Sequence, residues 1–318
     1  MTDERDDLIS SFSSADSLPV KLLINDGVRT LSPVHVQWLP TNQCNLRCPF
    51  CSCAKADRSA QMGTQTAKAV IDELAGMGAK AVTITGGGEP LCHPDLDAMI
   101  DRFMYRGIAV GLVTNGLLLK KMSPVALDCL TWCRVSHGDC RVLSENYARD
   151  LSAVVTDHPD VDWAFSYVVG KEPKLEEVRR VVEFANAHDF THVRLVADLT
   201  CPDEVDMRPI QERLGDIDQK VIYQSRNTPV RSSRCTIGYV KPLIAPDFKV
   251  YLCCGVQYAL MRMSLDLPEE LCMGSALDLG TIYREKKPIS VSCVRCYYQN
   301  YNRLLEPLTR EVHHPEFL

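Results

Sequence analysis

Cys44-Asn45-Leu46-Arg47-Cys48-Pro49-Phe50-Cys51 follows directly on an apolar, strand-like run, Val34 to Leu39. The spacing is C-x3-C-x2-C. Three thiolates on so short a loop can wrap one compact object, and soft thiolates select zinc, Cu(I) or an iron–sulfur cluster. A [4Fe–4S] cluster normally takes four cysteines. Three leave one iron open, and an open iron can hold a substrate or cofactor.

A second loop stands at a comparable place. Gly86-Gly87-Gly88-Glu89-Pro90 follows another strand-like run, Ala81 to Thr85. From residue 34 onward such runs recur at 34–39, 81–85, 108–113, 132–136, 162–169 and 192–198. Helix-like runs separate them: Thr66 to Met77, Pro94 to Tyr105, Pro124 to Leu130, Ser144 to Val155 and Leu175 to His188. Strand-then-helix repetition predicts a parallel sheet with right-handed crossovers.

Cys44, Cys48 and Cys51, with Phe50 before the last cysteine and the GGEP stretch at 87–90, resemble the signature of the radical S-adenosylmethionine (radical SAM) family. The resemblance implies an α/β fold, a partial (β/α)6 TIM-like barrel, with its chemistry at the C-terminal ends of the strands. It implies a [4Fe–4S] cluster on the three cysteines and S-adenosylmethionine at the open iron. Phe50 would lie against the adenine, and Gly86, Gly87, Gly88 and Glu89 would fix the cofactor's amino group.

The other strand ends supply further candidates. Val113-Thr114-Asn115-Gly116 resembles the family's T-N-G turn, so Thr114 and Asn115 either hydrogen-bond the cofactor or form an ordinary turn. Ser136 matches a family serine that contacts the ribose or methionine part. His137 either faces the cofactor or substrate or caps the strand. One of Ser166 and Tyr167 points inward by two-residue alternation. Arg194 and Asp198 share a parity with His192 and Val196. Arg194 would clamp a carboxylate or form a structural ion pair, and Asp198 would bind a substrate hydroxyl or amine.

A second cysteine set closes the chain: Cys235, Cys253, Cys293 and Cys296. Leu243 to Leu252 reads as a hairpin with a Pro-Asp turn. It resembles the cysteine–hairpin–cysteine unit of twitch or SPASM extensions, although Phe248 stands where those often have glycine. Four cysteines would complete a second, auxiliary [4Fe–4S] cluster; a zinc site is the alternative for that pattern. Cys254 competes with Cys253 as ligand. Cys254 or Cys272 would alternatively donate a hydrogen atom to a substrate radical. The remaining cysteines, Cys140 and Cys201 among them, read as buried small hydrophobes.

Three segments result: an N-terminal extension over 1–33, partly disordered; the barrel over 34–215; and a twitch-like domain with a tail over 216–318. Net charge is -6 with a pI near 5.8, which weighs against a long nucleic acid. The acidic start carries no signal peptide, and no run reaches the ~20 apolar residues of a membrane span. Fifteen cysteines then read as a reducing, cytoplasmic setting.

The resemblance implies an enzyme that reductively cleaves S-adenosylmethionine to a 5′-deoxyadenosyl radical, with an external donor such as flavodoxin or ferredoxin. The cysteine layout is similar to that of twitch-bearing dehydrogenases, which implies a small polar metabolite as substrate: a sugar, aminocyclitol or nucleoside, with net dehydrogenation or epimerisation. The alternative is a maturase of a ribosomally made peptide, whose leader-binding domain the short N-terminal segment leaves little room for. From another class comes a non-catalytic iron–sulfur or zinc protein.

Overall fold

A computed structural model describes residues 31–225, 232–258, 269–284, 289–293, 296 and 298–305. The expected N-terminal extension, apart from residues 31–33, lies outside these, as do residues 306–318.

Strands and helices alternate: β1 (His35–Trp38), α1 (Thr64–Gly76), β2 (Ala81–Ile84), α2 (Leu96–Tyr105), β3 (Ala109–Thr114), α3 (Pro124–Asp128), β4 (Leu130–Gly138), α4 (Glu145–Asp157), β5 (Asp162–Val169), α5 (Leu175–Ala187) and β6 (Phe190–Ala197). β1 to β6 pair in sequence order and all in parallel. Each crossover helix lays an apolar stripe on the sheet. In α1 the stripe is Ala67, Val70, Ile71 and Leu74; in α5 it is Val178, Val181, Val182 and Ala185. The start of α3 is set by Ser123, whose hydroxyl accepts from Ala126 N, with proline inside the first turn.

The strands obey two-residue alternation. Cys133, Val135, Phe165, Tyr167, Val193 and Leu195 are buried in the core shared with the helices. The intervening residues, among them Arg134, Ser136, Ser166, His192 and Arg194, occupy the opposite face, which is helix-free among the described residues. Trp38 meets Phe103 of α2 edge-on at 5.3 Å, and Phe165 stacks on Phe190 at 4.6 Å. The fold is mixed α/β on a parallel sheet, in the order a partial (β/α)6 barrel has.

The sheet does not stop at residue 215. After α6 (Arg208–Leu214), β7 (Val221–Gln224) pairs parallel with β6. β8 (Ser232–Cys235) pairs antiparallel with β12 (Ile289–Cys293) in a separate two-stranded ribbon. β9 (Leu243–Ile244) pairs parallel with β1, β10 (Lys249–Tyr251) returns antiparallel to β9, and β11 (Cys272–Ser275) adds outside β10. One ten-stranded sheet therefore runs β11-β10-β9-β1-β2-β3-β4-β5-β6-β7. α7 (Leu279–Arg284) and α8 (Gln299–Leu305) pack beside the added strands.

Between β6 and β7 the helical backbone is split into a single turn, Pro202–Glu204, and α6. Pro209 carries no N–H, so a helix can begin there but not run through it. In the β9–β10 hairpin Phe248 takes φ 60, the left-handed conformation that a glycine would adopt without strain. No described helix is long and apolar enough to cross a membrane.

Candidate functional site

Because β1 to β6 are parallel, the loops that follow them gather at one end of the sheet. The cysteine loop leaves β1 there. Cys44, Cys48 and Cys51 are free thiols, each half-buried. Cys51 N donates to Cys48 O at 3.1 Å, closing a turn, and Leu46 N donates to Cys44 Sγ at 3.4 Å. Cys48 is pushed up to about 12, first by burial, then by Cys140, then by Cys51 and Cys44. The thiols thus lie close enough to repel one another as thiolates, an unfavourable cluster that a bound cation relieves. Among the described residues no three such side chains converge on one point as a single metal ion would require. A four-iron cubane does not ask that of them, since each iron takes one thiolate. The donor set fits such a cluster.

The glycine loop after β2 packs directly on the cysteine loop. Gly88 N donates to Thr41 O at 3.1 Å and Glu89 N to Gln43 O at 2.7 Å. A Cβ on Gly87 would fall 1.8 Å from Asn42 Oδ1, and one on Gly88 would fall 2.0 Å from Gln43 O. Only glycine allows this approach. From the C-terminal segment, Gln257 Nε2 donates to Gly86 O at 2.9 Å.

Glu89 is 3% exposed. Its Oε1 accepts from Thr114 Oγ1 at 2.6 Å and from Leu91 N at 3.2 Å; its Oε2 accepts from Asn115 N at 2.7 Å. Burial raises its carboxyl, and these donors oppose the rise. Thr114 and Asn115, expected as cofactor contacts, are engaged with Glu89 itself. Asn115 Nδ2 also donates to Asn45 Oδ1 at 2.7 Å, tying the end of β3 to the cysteine loop. Both residues hold the carboxylate and the loop in register.

The ends of β4, β5 and β6 surround a cavity of about 480 Å³. Phe50 forms one wall, with its ring so close to Gly138 that a Cβ there would stand 2.6 Å from the ring edge. Asp198, 9% exposed, lines the opposite side and accepts from Thr200 N at 2.7 Å. Asp139 braces the rim: it accepts from Tyr167 Oη at 2.8 Å, Gly170 N at 2.7 Å and Lys174 N at 3.2 Å. Cys140 and Cys201 also line the cavity. The sequence reading took both for buried hydrophobes, yet Cys140 is exposed. Their positions just past the ends of β4 and β6 were the signal that would have found them.

Ser136 and Arg194 lie on the helix-free face, where Arg194 donates to Ser166 Oγ at 3.1 Å. Tyr167, the other residue expected as a possible inward group, is on the helix side. His137 is there too: it is 2% exposed, stacks on Tyr167 at 5.5 Å and accepts from Gly138 N at 2.9 Å through Nδ1. Strand alternation turns it away from the cavity. Burial first, then Arg141, lowers it to about 3, so it is neutral. Cys254 and Cys272 do not line the cavity either. Cys254 Sγ meets Tyr298 Oη at 3.4 Å, and Cys272 Sγ donates to Gly274 O at 3.6 Å.

The second cysteine set does assemble in space. Cys235 is pushed up to about 11 by burial, with Cys293 and Cys296 adding to the rise. Cys253 is raised by burial, then Cys254, Cys235 and Cys293. Gly255 N donates to Cys253 Sγ at 3.3 Å. Asn302, 7% exposed, accepts from Thr236 N and Ile237 N, both at 2.8 Å, and its Nδ2 reaches Cys296 Sγ at 3.9 Å. One side chain therefore fixes two of the four thiol-bearing segments together.

Residues 38–131 match the model of the Radical SAM superfamily. An AdoMet-dependent heme synthase of Methanosarcina barkeri is 30% identical over 169 residues, which are 49% of this chain and 48% of that protein. A PqqA peptide cyclase of Methylorubrum extorquens is 38% identical over 88 residues, 27% of this chain and 23% of the relative. The chain thus spans about half the length, or less, of these curated relatives. Among solved structures, Streptococcus suis SuiB bound to precursor peptide SuiA aligns over 78% of this chain and 65% of its own, with a TM-score of 0.55 at 14% identity, a likeness of fold. The likeness to the Radical SAM superfamily thus covers residues 38–131 of this chain.

Proposed function

We propose that this chain is a radical SAM enzyme that modifies a peptide. The observation that carries the reading is the joint placement of three free thiols, a glycine loop that excludes any Cβ, and the buried Glu89 carboxylate at one end of a parallel sheet. A pure electron carrier needs the thiols but neither of the other two. Cys44, Cys48 and Cys51 would hold a [4Fe–4S] cluster, and Glu89 with the backbone of 86–88 would hold the amino group of S-adenosylmethionine. When bound, the pair would supply one-electron reductive cleavage of the sulfonium, the electron passing through the cluster and methionine being released, and hydrogen-atom abstraction from the substrate. The electron comes from a small external donor such as a flavodoxin or ferredoxin. The protein's own part is to orient: Phe50 and Gly138 close one wall of the cavity, and Asp139 ties together the loops at its rim.

The peptide takes the place of the small polar metabolite expected from the cysteine layout. Support comes from the relatives, among which a peptide cyclase is 38% identical over 88 residues. An auxiliary [4Fe–4S] cluster on Cys235, Cys253, Cys293 and Cys296 completes the reading. It is supported by their mutual electrostatic effect and by the N–H groups aimed at their sulfurs. Net oxidation of the peptide, with that cluster as electron acceptor, is the reaction this reading favours.

The test is anaerobic reconstitution followed by dithionite and S-adenosylmethionine. Formation of 5′-deoxyadenosine is expected, with about eight irons per chain, falling to about four in a Cys44/Cys48/Cys51→Ala triple variant. A fully iron-loaded protein that yields no 5′-deoxyadenosine would refute the enzyme reading.

A further inference from the structure

Among the described residues, one face of the parallel sheet carries no helix. Parallel sheets are generally apolar on both sides. Here β4 and β6 place Arg134, His192 and Arg194 on that face. Register sets Arg134 level with Ala164 and, beyond it, His192; Arg194 follows one row nearer the strand ends, beside Ser166. His192 is lowered by burial, then by Arg134 and by Arg194, with Asp162 at the foot of β5 opposing. The two guanidiniums therefore converge on it.

Arg134 is the anomaly. Its guanidinium lies over the Trp132 ring at 5.3 Å. Its Nε is buried without a hydrogen-bond partner among the described residues. Burial lowers its pKa; among the described residues the charge opposing that is the neighbouring thiol of Cys133. Asp198 accepts from Thr200 N at the mouth, and Asp162 acts on His192 from the foot of β5. A half-buried cation short of a counter-charge is costly, and an anion seated against it removes that cost.

We propose that this wall seats a carboxylate of the substrate, with Arg134 as principal donor and Arg194 and His192 beside it. The proposal rests on the peptide reading above and names what the peptide must carry. A planar guanidinium held over an indole offers its paired N–H groups to a carboxylate in a fixed direction. Arg134 lies four residues below Gly138, or about 13 Å at the rise of a strand. A peptide anchored there reaches the level of the cysteine loop after about four extended residues, so the reacting residue stands some four positions from the anchored carboxylate. That carboxylate is either the peptide's C-terminus or an acidic side chain.

The experiment is anaerobic isothermal titration calorimetry of the cluster-loaded protein, with S-adenosylmethionine saturating throughout. Three probes are used: acetyl-Gly-Gly-Leu with a free C-terminus, the same peptide as its amide, and acetyl-Gly-Glu-Gly amide. At least one carboxylate probe binds and the leucine amide does not; which one binds identifies the source of the carboxylate. Arg134→Gln weakens that binding at least about tenfold, whereas Arg134→Lys, which keeps the charge but not the fork, weakens it about threefold. Equal binding of the amide, no binding of any probe to the wild type, or equal binding by Arg134→Lys and the wild type overturns the proposal. Because the readout is binding, a failure to form 5′-deoxyadenosine tells against the enzyme reading alone.

Discussion

Removing the Glu89 side chain should loosen the end of β3 as well as any hold on a cofactor. Glu89→Ala strands three donors at once: Thr114 Oγ1, Asn115 N and Leu91 N. The Thr114 hydroxyl can rotate, since it already accepts from Gly116 N. The two backbone N–H groups cannot. Each buried unpaired donor costs about 1–3 kcal/mol, and the vacated volume adds to that, while relief of carboxylate desolvation subtracts. The net expectation is about 3 kcal/mol for Glu89→Ala. For Glu89→Gln, which keeps one acceptor oxygen, it is about 1 kcal/mol. The assay is the thermal midpoint of the anaerobic, cluster-loaded protein, followed by circular dichroism. At about 2 °C per kcal/mol for a chain this large, Glu89→Ala falls by about 6 °C. The pH dependence supplies a second check. Burial raises the Glu89 carboxyl, so the folded state binds more protons than the unfolded state in that range. Stability therefore declines as pH rises from the ordinary carboxylate range through the raised value, and Glu89→Gln loses that part of the slope. A Glu89→Ala protein that melts within 1 °C of the wild type would refute the bracing role.

His137 titrates in the opposite sense. Its folded-state value is lowered to about 3, so its contribution is complete above about pH 6.5 and lost as pH falls toward 3. His137→Phe, which keeps the ring against Tyr167, should melt with a flatter profile between pH 6.5 and 4, although lower at neutral pH because Gly138 N loses its acceptor. Gly138→Ala should cost about 1–3 kcal/mol by driving a methyl into the Phe50 ring, and much less in a Phe50→Ala background; a double-mutant cycle on thermal midpoints measures the coupling. Asn302→Ala frees Thr236 N and Ile237 N and should cost about 2–4 kcal/mol, with iron retention falling in proportion to the auxiliary site; Asn302→Asp, which keeps the acceptor, should recover most of the stability.

The sequence displayed the sheet almost entirely. Continuous apolar strand runs alternating with 3.6-periodic helices leave few alternatives, and the six expected strands all formed within a residue or two of their limits. It displayed the cysteine and glycine loops because their residue types have few other uses. It did not show what Thr114 and Asn115 do. A hydroxyl and an amide at a strand end look the same whether they face a ligand or a buried carboxylate, and only the burial of Glu89 decides. His137 misled for a related reason. Its neighbours on both sides of the chain are site residues, and the alternation that turns it to the helix side depends on the register of β4, which a sequence fixes poorly. Cys140 and Cys201 were passed over because they lack partners at ligand spacing, although strand-end position brings both to the cavity. The pairing of β9 with β1 was invisible. Two strands of two to four residues, about two hundred positions apart, carry no local signal of each other.

That last pairing governs the order in which the molecule can be assembled on the ribosome. Gln37 and Trp38 stand opposite Leu243 and Ile244, so one flank of the first strand stays bare until most of the polypeptide has been synthesised. Contacts of such long sequence separation form slowly and leave unpaired backbone exposed meanwhile. The thiol loop hangs from that same strand. Its iron is best inserted after the C-terminal strands have closed the flank, so truncations near residue 240 should yield apoprotein prone to aggregate, even though every ligand of the first loop is present.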